Sequence, residues 1–280
     1  MARLLEGKPI AEKIKENIKQ QIQALNLKPV LASVQVGENA GAEAYVKSQQ
    51  KTAQNLGIEY QLHKLAQDTT EKALAEFIQK LNSDKFVNGI IVQMPLPLQI
   101  DYKRISQFIL PEKDVEGMHP ANIGKLLFGK VKILPCTPQA VMELLHSINL
   151  NLYGKEVVVV GHSEIVGKPL SLLLLDKFAT VTVCHIGTSQ AGKLEEHVRN
   201  AEILIVAVGK AGLIKGEWIK QDAVVIDVGI NRVGDKIVGD VEFEEAQKRA
   251  SYITPVPGGV GPLTVTMLMR NLVEATKLQI

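Results

Sequence analysis

Lys155-Glu156-Val157-Val158-Val159-Val160-Gly161-His162-Ser163-Glu164-Ile165-Val166-Gly167-Lys168-Pro169 is the stretch on which the fold turns. Its four consecutive valines read as a strand buried on both faces, because an unbroken β-branched run suits a sheet covered on each side by helices. Gly161 ends the run and Gly167 opens a helical pattern. Glycines at both ends suit a tight strand-to-helix turn whose backbone approaches a pyrophosphate at a helix N-terminus. The spacing is G-x-S-x-x-x-G rather than G-x-G-x-x-G, and alone it is a weak signal, since a buried strand ending in glycine is common in α/β proteins.

Outward from this loop, further apolar runs follow at strand intervals: Thr180–His185, Glu202–Val208 and Ala223–Val228. Each strand except the last is followed closely by a helical pattern, which describes a doubly wound, Rossmann-like unit. Val208-Gly209-Lys210 and Asp227-Val228-Gly229-Ile230-Asn231 each end a strand at its carboxyl edge, where open α/β sheets bind ligands. Any one of these segments reads equally well as a plain strand-terminating turn; three in register favour a dinucleotide site. Thr254 to Pro262, TPVPGGVGP, holds three glycines and three prolines and reads as a stiff loop presenting backbone groups.

Towards the N-terminus, Ile10, Ile14, Ile18 and Ile22 recur every four residues and mark an amphipathic helix. A strand over Pro29 to Val36, a helix over Gly41 to Leu56 and a strand near Glu59 to Leu65 follow, and then a helix whose cap is assigned to Asp68 with Glu71 as the capping-box partner. Gly89 to Gln93 is a buried strand running into MPLPLQ. This β-α-β-α-β rhythm calls for a mostly parallel sheet. The fold class is therefore α/β with two domains: an N-terminal α/β catalytic domain over 1–138 and a C-terminal Rossmann-like dinucleotide-binding domain over 139–262, with a last helix in 263–280 expected to pack back on the first.

The chain has 280 residues, 46% hydrophobic and 22% charged, the balance of a globular protein. Its net charge of +2 gives no argument for nucleic acid or a membrane surface. Cys136 and Cys184 are the only cysteines, which excludes a disulfide scaffold and a cysteine metal cluster. Charged residues break up the N-terminal segment, so no signal peptide is expected and a cytoplasmic location is the default.

In these blocks the chain resembles the bifunctional methylenetetrahydrofolate dehydrogenase/methenyltetrahydrofolate cyclohydrolase family over nearly its whole length. The matching blocks are the Tyr45 helix, VQMPLP (Val92 to Pro97), PEKDVEG (Pro111 to Gly117), PCTP (Pro135 to Pro138), GHSEIVGKP, DVGIN and TPVPGGVGP. The resemblance implies a homodimer, a folate substrate, a nicotinamide cofactor that is NADP in most members, and no metal. It implies that Tyr45 stacks on the folate, that Gln93 stands by the one-carbon centre, and that Glu116 hydrogen-bonds the pterin. Val92, Pro95, Leu96, Gly259 and Pro262 are expected at the folate, and Thr137, Gly161, His162, Ser163, Ile165, Ile186, Val208, Gly209, Gly229 and Ile230 at the cofactor. On composition alone, Tyr45 reads as a half-buried helix aromatic, Gln93 as a solvent-exposed strand end and Glu116 as a loop cap beside Lys113.

The chain departs from the family pattern at three places. Where the resemblance places a catalytic lysine, in Tyr-x-x-x-Lys-x-Lys, this helix has Gln49, while Lys47 and Lys51 point away from the Tyr45 face. The pterin-binding acid is Glu116 rather than Asp, one methylene longer. An amide cannot titrate, so the general acid–base help worth ~10²–10⁴-fold in a hydrolysis is missing. Hydride transfer needs only positioning and is the activity expected to persist. The third departure concerns the cofactor. The loop arginine of the family is His162, mostly neutral at pH 7 with its ordinary pKa of ~6.5, and the position after His185 is Ile186, which donates nothing. NAD is therefore expected at a rate comparable to or better than NADP, with Lys168 and Lys193 as alternative phosphate donors. The competing readings are the full bifunctional enzyme, a folate- or dinucleotide-binding protein without catalysis, and a shikimate- or malate-type dehydrogenase, which fits the Rossmann half but not VQMPLP and PCTP.

Overall fold

The computed structural model describes residues 1–129 and 131–280, less the side chains of Ala40 and Ala42. The chain divides into two compact units, Met1–Glu12 with Thr137–Thr264 and Lys13–Cys136 with Val265–Ile280. The division departs from the expected 1–138 and 139–262 at the N-terminus. Arg3–Leu4 forms a short strand paired in parallel with Tyr252–Ile253, which ties the first residues to the Rossmann unit.

In the catalytic unit a three-stranded parallel sheet has Val30–Val36 at its centre, Glu59–Leu65 on one side and Gly89–Val92 on the other. Every residue of Val30–Val36 is buried, so strand alternation sorts its side chains between two covered faces. Val30, Ala32, Val34 and Val36 join Ile90, Val92 and the helix residues Leu74, Ile78 and Leu81 in one apolar core. Ser33 points to the opposite face. The helix Glu71–Ser83 is capped by Thr70, whose side chain accepts from the Ala73 N–H, and not by Asp68. At its other end the buried Lys113 Nζ donates to the carbonyls of Leu81, Asn82 and Asp84 at 2.7–3.2 Å. Its cation thus satisfies the last turn of that helix. The same lysine anchors the PEKDVEG block. Near the C-terminus, Asn271 Nδ2 donates to the carbonyls of Val115 and Leu134 at 2.8 and 2.7 Å, joining that block to PCTP.

The Rossmann unit is a six-stranded sheet in the order Arg3–Leu4, Tyr252–Ile253, Val224–Asp227, Ile203–Val206, Glu156–Val160, Thr180–Cys184, parallel throughout. The chain leaves Glu156–Val160 first for Thr180–Cys184 on one side and later for Ile203–Val206 on the other. The Gly161 loop therefore stands at the topological switch point. The helix expected after the third strand is replaced by the short 3₁₀ turn Gly216–Trp218. No helix among the described residues is long and apolar enough to cross a membrane.

Candidate functional site

On the face of the catalytic sheet opposite its apolar core, four polar side chains from four elements meet. Leu31 is in register with Tyr60, and Ser33 with Ile91, so Tyr60, Ser33 and Gln93 share this face, with Gln49 coming from the helix Ala40–Leu56. Gln49 is fully buried and Gln93 is 3% exposed. The Gln49 Oε1 accepts from the Tyr60 hydroxyl at 2.8 Å and from Gln93 Nε2 at 2.9 Å. Gln93 Nε2 also donates to Ser33 Oγ at 3.0 Å. The Gln49 Nε2 is buried with no hydrogen-bond partner of normal geometry. It lies towards Tyr45, where it favours the ionised form of the hydroxyl, although burial, the larger effect, holds the Tyr45 pKa well above its ordinary value. Burial likewise pushes the Tyr60 pKa up to about 12.

Glu116 joins this group. It accepts from the Tyr102 hydroxyl at 3.2 Å, and its charge bears on both Tyr45 and Tyr102. Burial, helped by the Asp114 carboxylate, pushes its pKa up to about 8 against the pull of the Tyr102 hydrogen bond. Asp114 is itself held by the His119 N–H at 2.7 Å and by Asn122 Nδ2 at 2.9 Å.

The expected folate residues are thus partly gathered. Tyr45, Gln49, Gln93 and Glu116 form one polar cluster, and Lys47 and Lys51 are exposed and outside it. Val92 is 1% exposed, with its side chain inside the apolar core on the far face. Leu96 packs partly on that core. Pro95 is exposed after a cis Met94–Pro95 bond. Gly259 and Pro262 belong to the Rossmann unit. Lys113 serves the helix end, so Glu116 does not cap a loop beside it. Tyr60, Ser33 and Tyr102 were not expected. No motif marks them, and strand register and a loop contact bring them in.

In the Rossmann unit the switch-point turn is closed by backbone contact. Gly161 has φ of +123°, and a Cβ there would strike the Ala207 carbonyl; a Cβ at Gly167 would strike the carbonyl of Gly161. Ser163 Oγ accepts from the Val166 N–H at 3.1 Å, and the helix Gly167–Leu175 begins with no side-chain cap. The His162 ring lies 5.1 Å from that of His185 at a tilt of 54°, and His185 Nδ1 accepts from the Gly187 N–H at 3.1 Å. His185 is therefore held as the Nε2–H tautomer. Ile165, Ile186, Val208 and Ile230 stand exposed around these strand ends, Gly209 is exposed, and Thr137 is half-buried in the first turn of the helix Cys136–Ser147. A tight glycine turn, an uncapped helix start and exposed apolar side chains fit a dinucleotide with its flat rings.

Two buried carboxylates shape these loops: Asp227, which opens the DVGIN block, and Asp240, which lies in none of the matching blocks. Asp240, fully buried, accepts from the N–H groups of Val208, Gly209 and Lys210 at 2.7–3.0 Å and from Asn231 Nδ2 at 2.8 Å. Asp227 accepts from the N–H groups of Gly229, Asp240 and Val241 at 2.9–3.1 Å. Burial pushes its pKa up to about 6, against the pull of those backbone donors.

Comparison with known proteins bears on both halves. The family model for the catalytic domain of tetrahydrofolate dehydrogenase/cyclohydrolase matches residues 5–116, and the model for its NAD(P)-binding domain matches residues 135–280. The bifunctional protein FolD 2 of Geobacter metallireducens is 50% identical over 281 residues, covering 99% of this chain and 98% of that one. The crystal structure of the bifunctional enzyme FolD, a methylenetetrahydrofolate dehydrogenase/cyclohydrolase from Campylobacter jejuni, matches with a TM-score of 0.95 at 43% identity and 100% coverage of both chains. The Trypanosoma brucei methylenetetrahydrofolate dehydrogenase-cyclohydrolase, solved with NADP and an inhibitor, matches with a TM-score of 0.94 at 38% identity, covering 99% of this chain and 98% of that one.

Proposed function

The chain belongs to the tetrahydrofolate dehydrogenase/cyclohydrolase family, and from that premise we propose that it oxidises 5,10-methylenetetrahydrofolate to 5,10-methenyltetrahydrofolate and hydrolyses the product slowly or not at all. The carrying observation is Gln49. It fills the position where the resemblance puts a lysine, it is fully buried, and its oxygen is taken by Tyr60 and Gln93. A bound nicotinamide supplies the hydride acceptor. The chain's own side chains then have to hold the folate, with Tyr45 against its ring system, Gln49 and Gln93 as neutral polar contacts and Glu116 at the pterin. None of these tasks requires position 49 to titrate.

The test is two separate assays on the purified protein. Reduction of a nicotinamide cofactor with accumulation of the methenyl compound is the expected result. Hydrolysis of methenyltetrahydrofolate far above its spontaneous rate would overturn the loss of the second activity. That second reading, full bifunctionality, has its own support. The Geobacter relative is named bifunctional, and Glu116, with its pKa pushed up to about 8, titrates in the range a general acid–base needs.

The same premise supports a nicotinamide dinucleotide with weakened discrimination for the 2′-phosphate. His162 stands at the family's arginine position, His185 spends its Nδ1 on the Gly187 N–H, and Ile186 is 68% exposed with no side-chain donor. Lys168 is drawn towards Glu164 at 3.6 Å. A homodimer, supported by the resemblance, is checked by sedimentation of the purified protein.

A further inference from the structure

Gln49 presents an anomaly. A side-chain amide carries two donors and one acceptor oxygen. Here the oxygen is doubly used, by Tyr60 at 2.8 Å and Gln93 at 2.9 Å, while the buried Nε2 is left without a partner. Leaving a buried donor unsatisfied costs about 1–3 kcal/mol, so native structures rarely keep one without a use. The amide cannot relieve this by turning over alone. Gln93 commits its Nε2 to both Gln49 and Ser33, so Gln49 and Gln93 must turn together or not at all. Tyr60 donates to the same oxygen from the neighbouring strand, and burial keeps its hydroxyl protonated, and so able to donate, through the neutral range. The Gln49 Nε2 faces the Tyr45 hydroxyl, near enough to favour its ionised form but outside normal hydrogen-bond geometry.

We propose that Tyr60 is a positioning residue: with Gln93 it holds the Gln49 oxygen, so that the Gln49 NH₂ is presented as a fixed, neutral donor to a lone-pair nitrogen or oxygen of the bound folate near Tyr45. This rests on the folate reading of the site and adds a specificity element to it. An acceptor on the substrate completes the unsatisfied donor, and a ligand that offers a donor there meets an NH₂ that can turn away only together with Gln93. Tyr60 touches no substrate. Its effect passes wholly through the amide.

That last property makes the test decisive. Tyr60→Phe keeps the ring and removes the hydroxyl, and Gln49→Met keeps the side-chain length and removes both the clamp point and the donor. In the whole protein, Tyr60→Phe should raise KM for methylenetetrahydrofolate roughly tenfold, with KM for the nicotinamide cofactor unchanged and the melting temperature nearly so. Gln49→Met should raise it at least as much. The double variant should be no worse than Gln49→Met alone, because contacting residues in one network are not additive. If Tyr60→Phe instead adds its full effect on top of Gln49→Met, or moves both KM values together with the melting temperature, Tyr60 is merely structural and the proposal falls. The unsubstituted protein, run alongside, tests the folate reading separately. Failure to turn over methylenetetrahydrofolate at all would overturn that reading, and this inference with it.

Discussion

In the catalytic unit four neutral side chains, Ser33, Gln49, Tyr60 and Gln93, bond to one another and leave an unpartnered NH₂. In the Rossmann unit two buried carboxylates, Asp227 and Asp240, are surrounded by backbone N–H groups and hold the loops that end the strands. The first region places functional groups, and its chemistry lies in which atom of an amide faces the ligand. The second places backbone, and its charges point inward as internal struts. A charge can be buried in the second because several donors surround each carboxylate. In the first, the buried carboxyl of Glu116 accepts from the Tyr102 hydroxyl and is driven towards its neutral form by burial and by the nearby Asp114 carboxylate. The two regions should therefore answer differently to substitution and to pH.

The largest expected effect is at the struts. Asp240→Asn would turn an amide NH₂ against a cluster that is already all donors, at a cost of about 3–5 kcal/mol. Calorimetry should show a fall of ~10 °C in melting temperature, and kinetics should show a raised KM for the cofactor with little change for the folate. An equal rise in both would break the contrast. The next is Gln49→Lys, which restores a titrating group beside Gln93. Methenyl hydrolysis should rise about 10- to 100-fold, and pairing it with Glu116→Asp should do better still if the longer acid has reshaped the cluster. No gain in either variant means the hydrolysis is limited by something other than position 49.

A smaller effect separates the two cofactors. The ratio of kcat/KM for NADP and NAD should stay within about tenfold, or ~1.4 kcal/mol, given that His162 stands where the family has an arginine and the Ile186 side chain donates nothing. A preference for NADP of about a hundredfold would show that Lys168 or Lys193 reaches the phosphate. The smallest is a pH slope. Glu116 has its pKa raised in the folded protein, from 4.5 to about 8. Its contribution to stability is therefore full below about 4.5 and is lost as pH rises through about 8. Asp227 does the same in a lower window, from 3.8 to about 6. Glu116→Gln should flatten the decline of melting temperature in the upper window and leave the lower one, and a slope unchanged above pH 6 would refute this.

How far the sequence could be read follows the same division. Val157–Val160 with Gly161 and Gly167 announced the switch-point turn, because an apolar run and two glycines are local signals. That Gln49 shares the Tyr45 face was legible, since the i, i+4 relation needs only helix geometry. The strand Arg3–Leu4 was not, because two residues show no periodicity and its partner Tyr252–Ile253 lies at the far end of the chain. Asp240 was invisible for a related reason, as its donors are backbone N–H groups that any residue type supplies. Val92 could have been placed correctly. Alternation sets it on the opposite face from Gln93, and treating VQMPLP as a unit hid that. The cap at Thr70 rather than Asp68 shows the usual uncertainty of helix ends.

Asn271 has a consequence for how the chain is made. Its side-chain bond to Leu134 spans 137 positions, and that to Val115 spans 156. Translation emits the N-terminal half first, at roughly 5–20 residues per second. The Val115 and Leu134 carbonyls therefore leave the ribosome many seconds before the residue that will bond them exists. Met1–Glu12 waits similarly for Tyr252–Ile253. Neither unit can close on a partial transcript of itself, so a nascent chain stalled short of Asn271 exposes an unfinished catalytic unit to chaperones and proteases. Synthesis through Asn271 is the event that permits both sets of bonds to form.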